Sequence, residues 1–289
     1  MNLDRIALGT VQFGTNYGVA NASGQVSIPE VQKILNFAKK NRIKTLDTAS
    51  SYGESETVLG NYGLSNWEVV TKIPSIPENI SNIQEWIVSQ VESSLRRLNT
   101  EKVDGILLHD SDQILGKNRN IIRQSLSYLK ESKLCKKVGL SIYDVNKINE
   151  YIEDGDIDLI QAPLNIFDKR LIKSDILEAL KNRGIEIHAR SIFLQGLLLL
   201  KRDSLPITFV DSKSLFDEWH FWLRQNNLDA VEACLKFVTQ YKDIDKIVLG
   251  VQDIQQLEKI VSIISNNTHV EFPEWQSKIS DKLINPSLW

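Results

Sequence analysis

Eight short runs of apolar and β-branched residues recur along the chain and are separated by longer stretches of mixed polarity. Runs of this length and composition predict β-strands. The eight runs are "RIALGTV" (5–11), "KTLDTA" (44–49), "WEVVTKI" (67–73), "VDGILLH" (103–109), "KKVGLSI" (136–142), "IDLIQAP" (157–163), "IEIHARS" (185–191) and "DKIVLGV" (245–251).

The stretches between these runs carry apolar residues at intervals of three and four, which predicts helices with one buried face. Ser27 followed by Pro29 marks the start of the first long helix. Further helices are predicted to start near residues 119, 144, 172, 228 and 253. The predicted buried faces hold Val31, Ile34, Leu35 and Ala38 in the helix from 28, and Ile83, Ile87, Val91 and Leu95 in the helix from 83.

Strands that alternate with helices predict a parallel sheet, and eight strands are the number that closes a (β/α)₈ barrel. An open doubly wound sheet is the alternative, but "LGTVQFGTNYG" after the first strand lacks the GxGxxG pattern of a dinucleotide-binding turn. Nothing in the sequence divides the chain, so one domain over 1–289 is predicted. The longest irregular stretches, 12–26 and 202–214, follow the first and seventh strands. They should therefore lie at the C-terminal mouth of the barrel, where such enzymes place their active sites.

Composition narrows the class of protein further. Of the 289 residues, 25% are charged and 42% hydrophobic, and the formal net charge is −3, so nothing favours nucleic acid or a membrane as a partner. Cys135 and Cys234 are far apart, and neither a disulfide framework nor a metal site is expected. The N-terminus lacks an apolar signal core, and the longest apolar run, 191–201, is shorter than the ~20 residues that span a bilayer. A cytoplasmic protein is predicted.

Four polar residues fall at the ends of three consecutive predicted strands. Asp47 lies near the end of the second strand, Tyr52 in the loop behind it, Lys72 near the end of the third and His109 at the end of the fourth. Neighbouring strands are ~4.8 Å apart, so these side chains can converge. Lys72, held by Asp47, is then expected to lower the pKa of Tyr52 and make it a general acid near neutral pH, with His109 bonded to the oxygen that is protonated.

Each of these residues also has an alternative interpretation. A strand-end Asp can cap a turn, a loop Tyr beside a Gly can be a surface aromatic, and a strand-end His can be structural. Lys72 could be solvated, or it could form a Schiff base with a carbonyl substrate, as in aldolases. The coincidence of all four at consecutive strand ends favours the acid–base interpretation.

The chain resembles the aldo-keto reductase superfamily in several segments that occur in the family's order. These are "LDTASSYGESETVLG", "VVTKIP", "SLRRLNTEKVDGILLHD", "VGLS", "QAPLN" and "GLL", spread from about residue 5 to 262. The resemblance implies the (β/α)₈ barrel and NAD(P)H-dependent reduction of an aldehyde or ketone. It also implies that Asp47, Tyr52, Lys72 and His109 are the catalytic residues.

The resemblance further implies a set of cofactor-binding residues. Ser141 and Gln161 match residues that hold the nicotinamide carboxamide, and Thr10 lies where the first strand approaches the ring. Arg190 occupies the place of a Tyr that commonly stacks on the nicotinamide, and it could contact nicotinamide, an anionic substrate or a neighbouring strand. Ile142 replaces the usual Asn after "GLS". Gly196 and Leu197 of "GLL" are expected at the cofactor, and Lys201 at its pyrophosphate.

The last predicted strand leads into the turn where relatives bind the adenosine 2′-phosphate with basic side chains. Here the corresponding residues are Gly250, Gln252, Asp253 and Gln256, and Ile260 stands for an adenine-side Asn. A phosphate prefers Arg or Lys, and Asp253 would oppose it, although a helix N-terminus still offers backbone N–H groups. The resemblance favours NADPH, and these residues keep NADH as a contender.

The leading hypothesis is a monomeric or weakly associating reductase of a small-molecule carbonyl, with a sugar-like substrate as one possibility. The pocket roof is expected from 12–26, 111–118 and 202–222, although packing against a helix is the preferred interpretation of the aromatic residues there. The alternatives are a non-catalytic protein that keeps the barrel and a Schiff-base aldolase that uses Lys72. The roof segments hold Asn16, Tyr17, Asp112, Trp219, His220, Phe221 and Trp222.

Overall fold

Eight parallel strands close into a barrel in the computed structural model, which describes residues 3–21, 23–266 and 270–289. Each strand pairs with its neighbours in sequence, and β8 pairs with β1, which confirms the predicted (β/α)₈ barrel. The strands are β1 (Ile6–Gly9), β2 (Thr45–Asp47), β3 (Glu68–Ile73), β4 (Val103–Leu108), β5 (Cys135–Ser141), β6 (Leu159–Pro163), β7 (Glu186–Arg190) and β8 (Lys246–Gly250).

Helices follow the strands, and the buried faces of the first two long helices largely agree with the predicted ones. Residues 202–214 were expected to be irregular, but they form two 3₁₀ turns, Arg202–Ser204 and Ile207–Ser212, and the first residues of a helix. Within the described ranges, no helix is long and apolar enough to cross a membrane. The helices are α1 (Val11–Gly14), α2 (Ile28–Lys40), α3 (Ser55–Tyr62), α4 (Ile83–Arg97), α5 (Arg119–Glu131), α6 (Ile148–Ile152), α7 (Ser174–Asn182), α8 (Lys213–Gln225), α9 (Ala230–Thr239), α10 (Ile254–Ser265) and α11 (Asp281–Ile284).

A small apolar layer fills the interior of the barrel below its C-terminal end. Val70, Leu107 and Leu159 form a small buried cluster separate from the main core. Because side chains alternate between the two faces of a strand, Lys72 and Gln161, two residues beyond Val70 and Leu159, point to the same interior. Polar side chains therefore lie at the C-terminal end of the barrel above an apolar plug.

Candidate active site

The four predicted catalytic residues meet at the C-terminal end of β2, β3 and β4. Asp47 ends β2, Lys72 is the fifth residue of β3, and His109 directly follows β4, with its backbone N–H donating to the carbonyl of Ile73 at 3.0 Å. The Nζ of Lys72 lies 2.7 Å from Oδ1 of Asp47 and 3.5 Å from the Tyr52 hydroxyl. The phenol and the ammonium are thus in contact.

Two glycines fix the turn that carries Tyr52. A Cβ on Gly14 would lie 1.9 Å from the carbonyl oxygen of Tyr52, and a Cβ on Gly53 would lie 2.4 Å from the carbonyl oxygen of Gly14. Gly53 also has a φ of 54°, a conformation that glycine adopts at little cost. The loops after β1 and β2 therefore pack backbone against backbone, and this contact sets the position of the phenol.

The Asp47–Lys72 pair is almost fully withdrawn from water. The side chains are 4% and 1% exposed, and Lys72 also donates to the carbonyl of Thr48 at 3.0 Å. The second oxygen of Asp47 accepts from Nε2 of Gln161 at 2.6 Å. Burial opposes the charge of Lys72, but Asp47 and the Tyr52 hydroxyl favour it, and the pKa of Lys72 is raised. Lys72 is therefore a fixed cation.

The pKa of Tyr52 differs from the sequence-based expectation. Burial raises the pKa of Tyr52; the charge of Lys72 lowers it, Asp47 raises it, and the net shift is upward. The expected net lowering of this pKa is therefore wrong, because burial of the phenol outweighs the charge of the Lys72 ammonium. Tyr52 holds its proton, and Lys72 is in place to stabilise the phenolate once that proton leaves.

His109 lies beside Tyr52, with the two ring centroids 6.0 Å apart and the rings nearly perpendicular. Its Nδ1 is 3.3 Å from the hydroxyl oxygen of Ser51. Burial, together with the charges of Lys72 and Arg190, lowers the pKa of His109 to about 4. The imidazole is thus neutral near pH 7 and can offer one hydrogen-bond donor and one acceptor.

A cavity of about 420 Å³ extends from these residues to the start of α10. This volume lies in the range of small-molecule and cofactor sites, ~300–1,000 Å³. Asp47, Tyr52 and His109 line its inner end. Eight of the predicted cofactor-binding residues also line it: Thr10, Ser141, Gln161, Arg190, Gly196, Gly250, Gln252 and Gln256.

Three predicted cofactor-binding residues lie outside this cavity. Leu197 is fully buried in the hydrophobic core, and Lys201 lines a separate surface cleft with Arg202 and Asp217. Asp253 is the N-cap of α10, and its carboxylate accepts from the backbone N–H of Gln256 at 2.7 Å. Asp253 therefore satisfies the first turn of its own helix, as carboxylates at this position commonly do.

Arg190 reaches across the mouth of the barrel. It ends β7, yet its guanidinium donates to the carbonyl of Ile142, beyond the end of β5, at 2.9 Å. Its Cζ lies 4.2 Å from the ring centroid of Tyr143, and it also donates to the hydroxyl of Ser191 at 3.2 Å. Arg190 therefore contacts the loop after β5, two strands away from β7, through a carbonyl and an aromatic ring, and the predicted salt bridge into a neighbouring strand is absent among the described residues.

The cavity wall includes Tyr143 and Lys259, which were not predicted from the sequence, and Gln12, which was predicted only as part of the segment 12–26. The side-chain oxygen of Gln12 is buried without a hydrogen-bond partner among the described residues. Its amide group occupies the space where Gly250 lacks a Cβ, since an added Cβ would lie 2.6 Å from Nε2. An unpaired buried acceptor beside a glycine fits a site for a hydroxyl-rich dinucleotide, because such a ligand supplies the missing donor.

The loops over the cavity differ in how much of the predicted roof they supply. Tyr17 lines the cavity, and its loop is joined to the one after β7 by the backbone bond from Val19 to Gln195 at 2.9 Å. Residue 22 lies outside the described residues.

Trp219 is fully buried and stacks on Trp222 with ring centroids 5.8 Å apart, so packing is the correct interpretation of these two aromatics. The other roof candidates Asn16, Asp112, His220 and Phe221 do not line this cavity.

Comparison with known proteins identifies the family. The model for the "Aldo/keto reductase family" matches residues 5–279. The chain is 24% identical to the NADH-specific methylglyoxal reductase of Escherichia coli, over 92% of this chain and 91% of that protein. It is also 24% identical to the glyoxal reductase of Bacillus subtilis, over 80% and 83% of the two chains.

A solved structure has the same fold. The holo form of an aldo-keto reductase from Bacillus halodurans superposes with a TM-score of 0.72 at 19% identity, over 92% of this chain and 88% of that one. The eight-stranded barrel and the family match over nearly the whole chain agree with each other. The chain belongs to the aldo/keto reductase family and is an NAD(P)H-dependent oxidoreductase.

Proposed function

We propose that the protein reduces an aldehyde or ketone of a small molecule and that Tyr52 is the general acid. The observation that carries this proposal is the position of Nζ of Lys72, which lies 2.7 Å from Asp47 and 3.5 Å from the hydroxyl of Tyr52, a residue that lines the inner end of the cavity. A carbonyl that gains a hydride at carbon needs a proton at oxygen, and a phenol beside a fixed cation can supply it.

In the proposed reaction, Ser141 and Gln161 would hold a reduced nicotinamide, which would supply the hydride to the carbonyl carbon. Tyr52 donates its proton to the carbonyl oxygen, so the substrate leaves as an alcohol. Lys72 is close enough to stabilise the negative charge that grows on the phenol oxygen, and Asp47 keeps the ammonium in place. Because these charges are fixed before the reaction, little reorganisation is needed as the proton moves. Neutral His109 is proposed to donate a hydrogen bond to the substrate oxygen.

The same geometry argues against the Schiff-base alternative. An amine must be unprotonated to attack a carbonyl, and the pKa of Lys72 is raised. The Lys72 side chain is also only 1% exposed, and its Nζ is bonded to Asp47 and to the carbonyl of Thr48. Lys72 therefore supports Tyr52 better than it would serve as a nucleophile.

The proposal is tested by carbonyl-dependent oxidation of the reduced cofactor. We expect the purified protein to oxidise NADH or NADPH when methylglyoxal, glyoxal or a short sugar aldehyde is added, and to form one alcohol per cofactor oxidised. The measurement is the loss of reduced-nicotinamide absorbance together with product analysis. Tight binding of either dinucleotide without turnover of any carbonyl would instead support a binding protein.

We further propose that NADH is the preferred cofactor. Among the described residues that line the α10 end of the cavity, Lys259 is the one cation, and its Nζ is 2.8 Å from Oδ2 of Asp229. Because Asp229 offsets the charge of Lys259, this pair presents little net positive charge to a 2′-phosphate. Gln252 and Gln256, at the other side of this end, are uncharged. The NADH-specific relative is consistent with this proposal.

Asp229→Asn is expected to shift cofactor preference towards NADPH by about tenfold, because it frees the ammonium of Lys259 for a charge-assisted contact. The Asn side chain can still cap α9, where Asp229 now accepts from the backbone of Glu232. The measurement is the ratio of kcat/KM for NADPH and NADH with one carbonyl substrate. Lys259→Gln in the same background should cancel the shift, and an unchanged ratio in Asp229→Asn would contradict the proposal.

A further inference from the structure

The guanidinium of Arg190 is a cation without a carboxylate partner among the described residues. It donates to two neutral oxygens, the carbonyl of Ile142 at 2.9 Å and the hydroxyl of Ser191 at 3.2 Å, and one face lies against the ring of Tyr143. A guanidinium carries five N–H donors, so these two bonds leave three. Arg190 lines the cavity, where the remaining donors can meet a ligand.

The charge of Arg190 acts at the reacting end of the cavity. It works to lower the pKa of both Tyr52 and His109, so it lies near the groups proposed to act on the carbonyl. Lys259, which also lines the cavity, is paired with a carboxylate at 2.8 Å, and Lys72, buried behind Tyr52, is paired with Asp47 at 2.7 Å. With Asp47 cancelling Lys72, the reacting end therefore carries one positive charge that no described protein group balances.

We propose that Arg190 binds a carboxylate of the substrate, and that the physiological substrate is an oxo acid. This inference rests on the proposed function, because it assigns the substrate of the same site. A planar guanidinium held by a carbonyl and an aromatic ring is already fixed, and its fork of donors matches the two oxygens of a carboxylate. Partial burial strengthens this contact over one in water.

A contact with the nicotinamide is the competing use of Arg190. An oxidised nicotinamide is a cation and would be repelled by the guanidinium, whereas a substrate carboxylate would be attracted. A substrate carboxylate would pair with the guanidinium, whereas the reduced ring of the cofactor is neutral. The charge at the site thus favours the carboxylate, and substitution can separate the two uses.

The test compares acids with their uncharged methyl esters. The substrates are glyoxylate, succinic semialdehyde and glutaric semialdehyde, and each methyl ester has the same carbonyl and chain but no charge. We expect kcat/KM of the wild type to be about ten- to a hundredfold higher for at least one acid than for its ester, the range for a hydrogen bond to a charged group. The acid with the largest ratio of kcat/KM over its ester indicates the distance between carbonyl and carboxylate that fits the site.

Arg190→Gln should remove that preference by lowering kcat/KM for the acid while the ester changes by less than about threefold. Arg190→Lys should keep part of the preference for the acid, since lysine retains the positive charge but lacks the two parallel donors of the guanidinium. Arg96→Gln, on an exposed residue of α4 that does not line the cavity, is the matched control and should leave both substrates unchanged. Calorimetric titration of the NADH complex with butyrate gives a readout without turnover, and binding should weaken in Arg190→Gln.

Two results would overturn this inference. One is a wild-type protein with the same kcat/KM for esters as for acids and no binding of butyrate. That result would contradict the role of Arg190 but would leave the proposed reductase function intact. The other is a variant Arg190→Gln in which kcat/KM falls equally for acid and ester and NADH binds more weakly. That result would assign Arg190 to the cofactor. Failure of the proposed function looks different, because no acid or ester would then oxidise either cofactor. In that case butyrate binding still decides whether Arg190 holds an anion.

Discussion

Tyr52→Phe is expected to lower kcat by about 10²–10⁴-fold, the usual contribution of a general acid, while the Kd for NADH changes by less than about threefold. The substitution deletes the hydroxyl that Lys72 contacts at 3.5 Å and keeps the ring that packs against His109. The measurements are steady-state kinetics with a carbonyl substrate and fluorescence titration with NADH.

The control for this variant is the wild-type pH profile. Because burial raises the pKa of Tyr52, the phenol stays protonated through neutral pH, and activity should not fall as pH rises until the ordinary range of a tyrosine is passed. Substantial activity in Tyr52→Phe would show that another group donates the proton. An alkaline limb close to neutral pH would show that cofactor binding lowers the phenol pKa after all.

Lys72→Met is expected to lower the free energy of unfolding by about 3–5 kcal/mol, because it leaves the carboxylate of Asp47 buried without its cation. Both side chains are almost fully buried, so solvent screening does little to reduce this cost. Activity should fall as well, since the same ammonium contacts Tyr52. The measurement is urea-induced unfolding followed by circular dichroism, with kinetics on the folded fraction.

The double variant Asp47→Asn with Lys72→Met separates a buried charge from lost packing. The amide introduced by Asp47→Asn removes the uncompensated charge and still offers an oxygen to Gln161, which bonds to Asp47 in the wild type at 2.6 Å. The double variant should therefore be more stable than Lys72→Met alone and equally inactive. A double variant that loses as much stability as the sum of the two single variants would show that the charges do not interact as the distances indicate.

Much of the fold was predictable because strand and helix periods are properties of the local sequence. Each predicted strand overlaps the observed one, and Asp47, Lys72 and His109 could be placed together because parallel strands all end at one face of a barrel. The cavity wall was harder to predict. Tyr143 lies two residues beyond a strand end, where no period indicates the direction of a side chain. Gln12 and Lys259 lie in helices, whose period indicates a buried face but not which helices border a cavity.

The differences at Asp253 and Tyr52 have separate physical causes. Asp253 precedes a helix and is followed three residues later by Gln256, a pattern typical of a helix N-terminus, and the structure shows the carboxylate used in that way. The direction of the pKa of Tyr52 depends on the balance between burial and one nearby ammonium. That balance is a property of three-dimensional distances, which the sequence does not contain.

The close approach of Gly14 and Gly53 has a consequence for exchanging loops between relatives. The segment after β1 carries Gln12 and Tyr17, and the segment after β2 carries Tyr52, yet their backbones touch at these two glycines. Replacing only one segment with that of a relative would change the backbone conformation of the other segment and displace the phenol. The two segments should therefore be transplanted together.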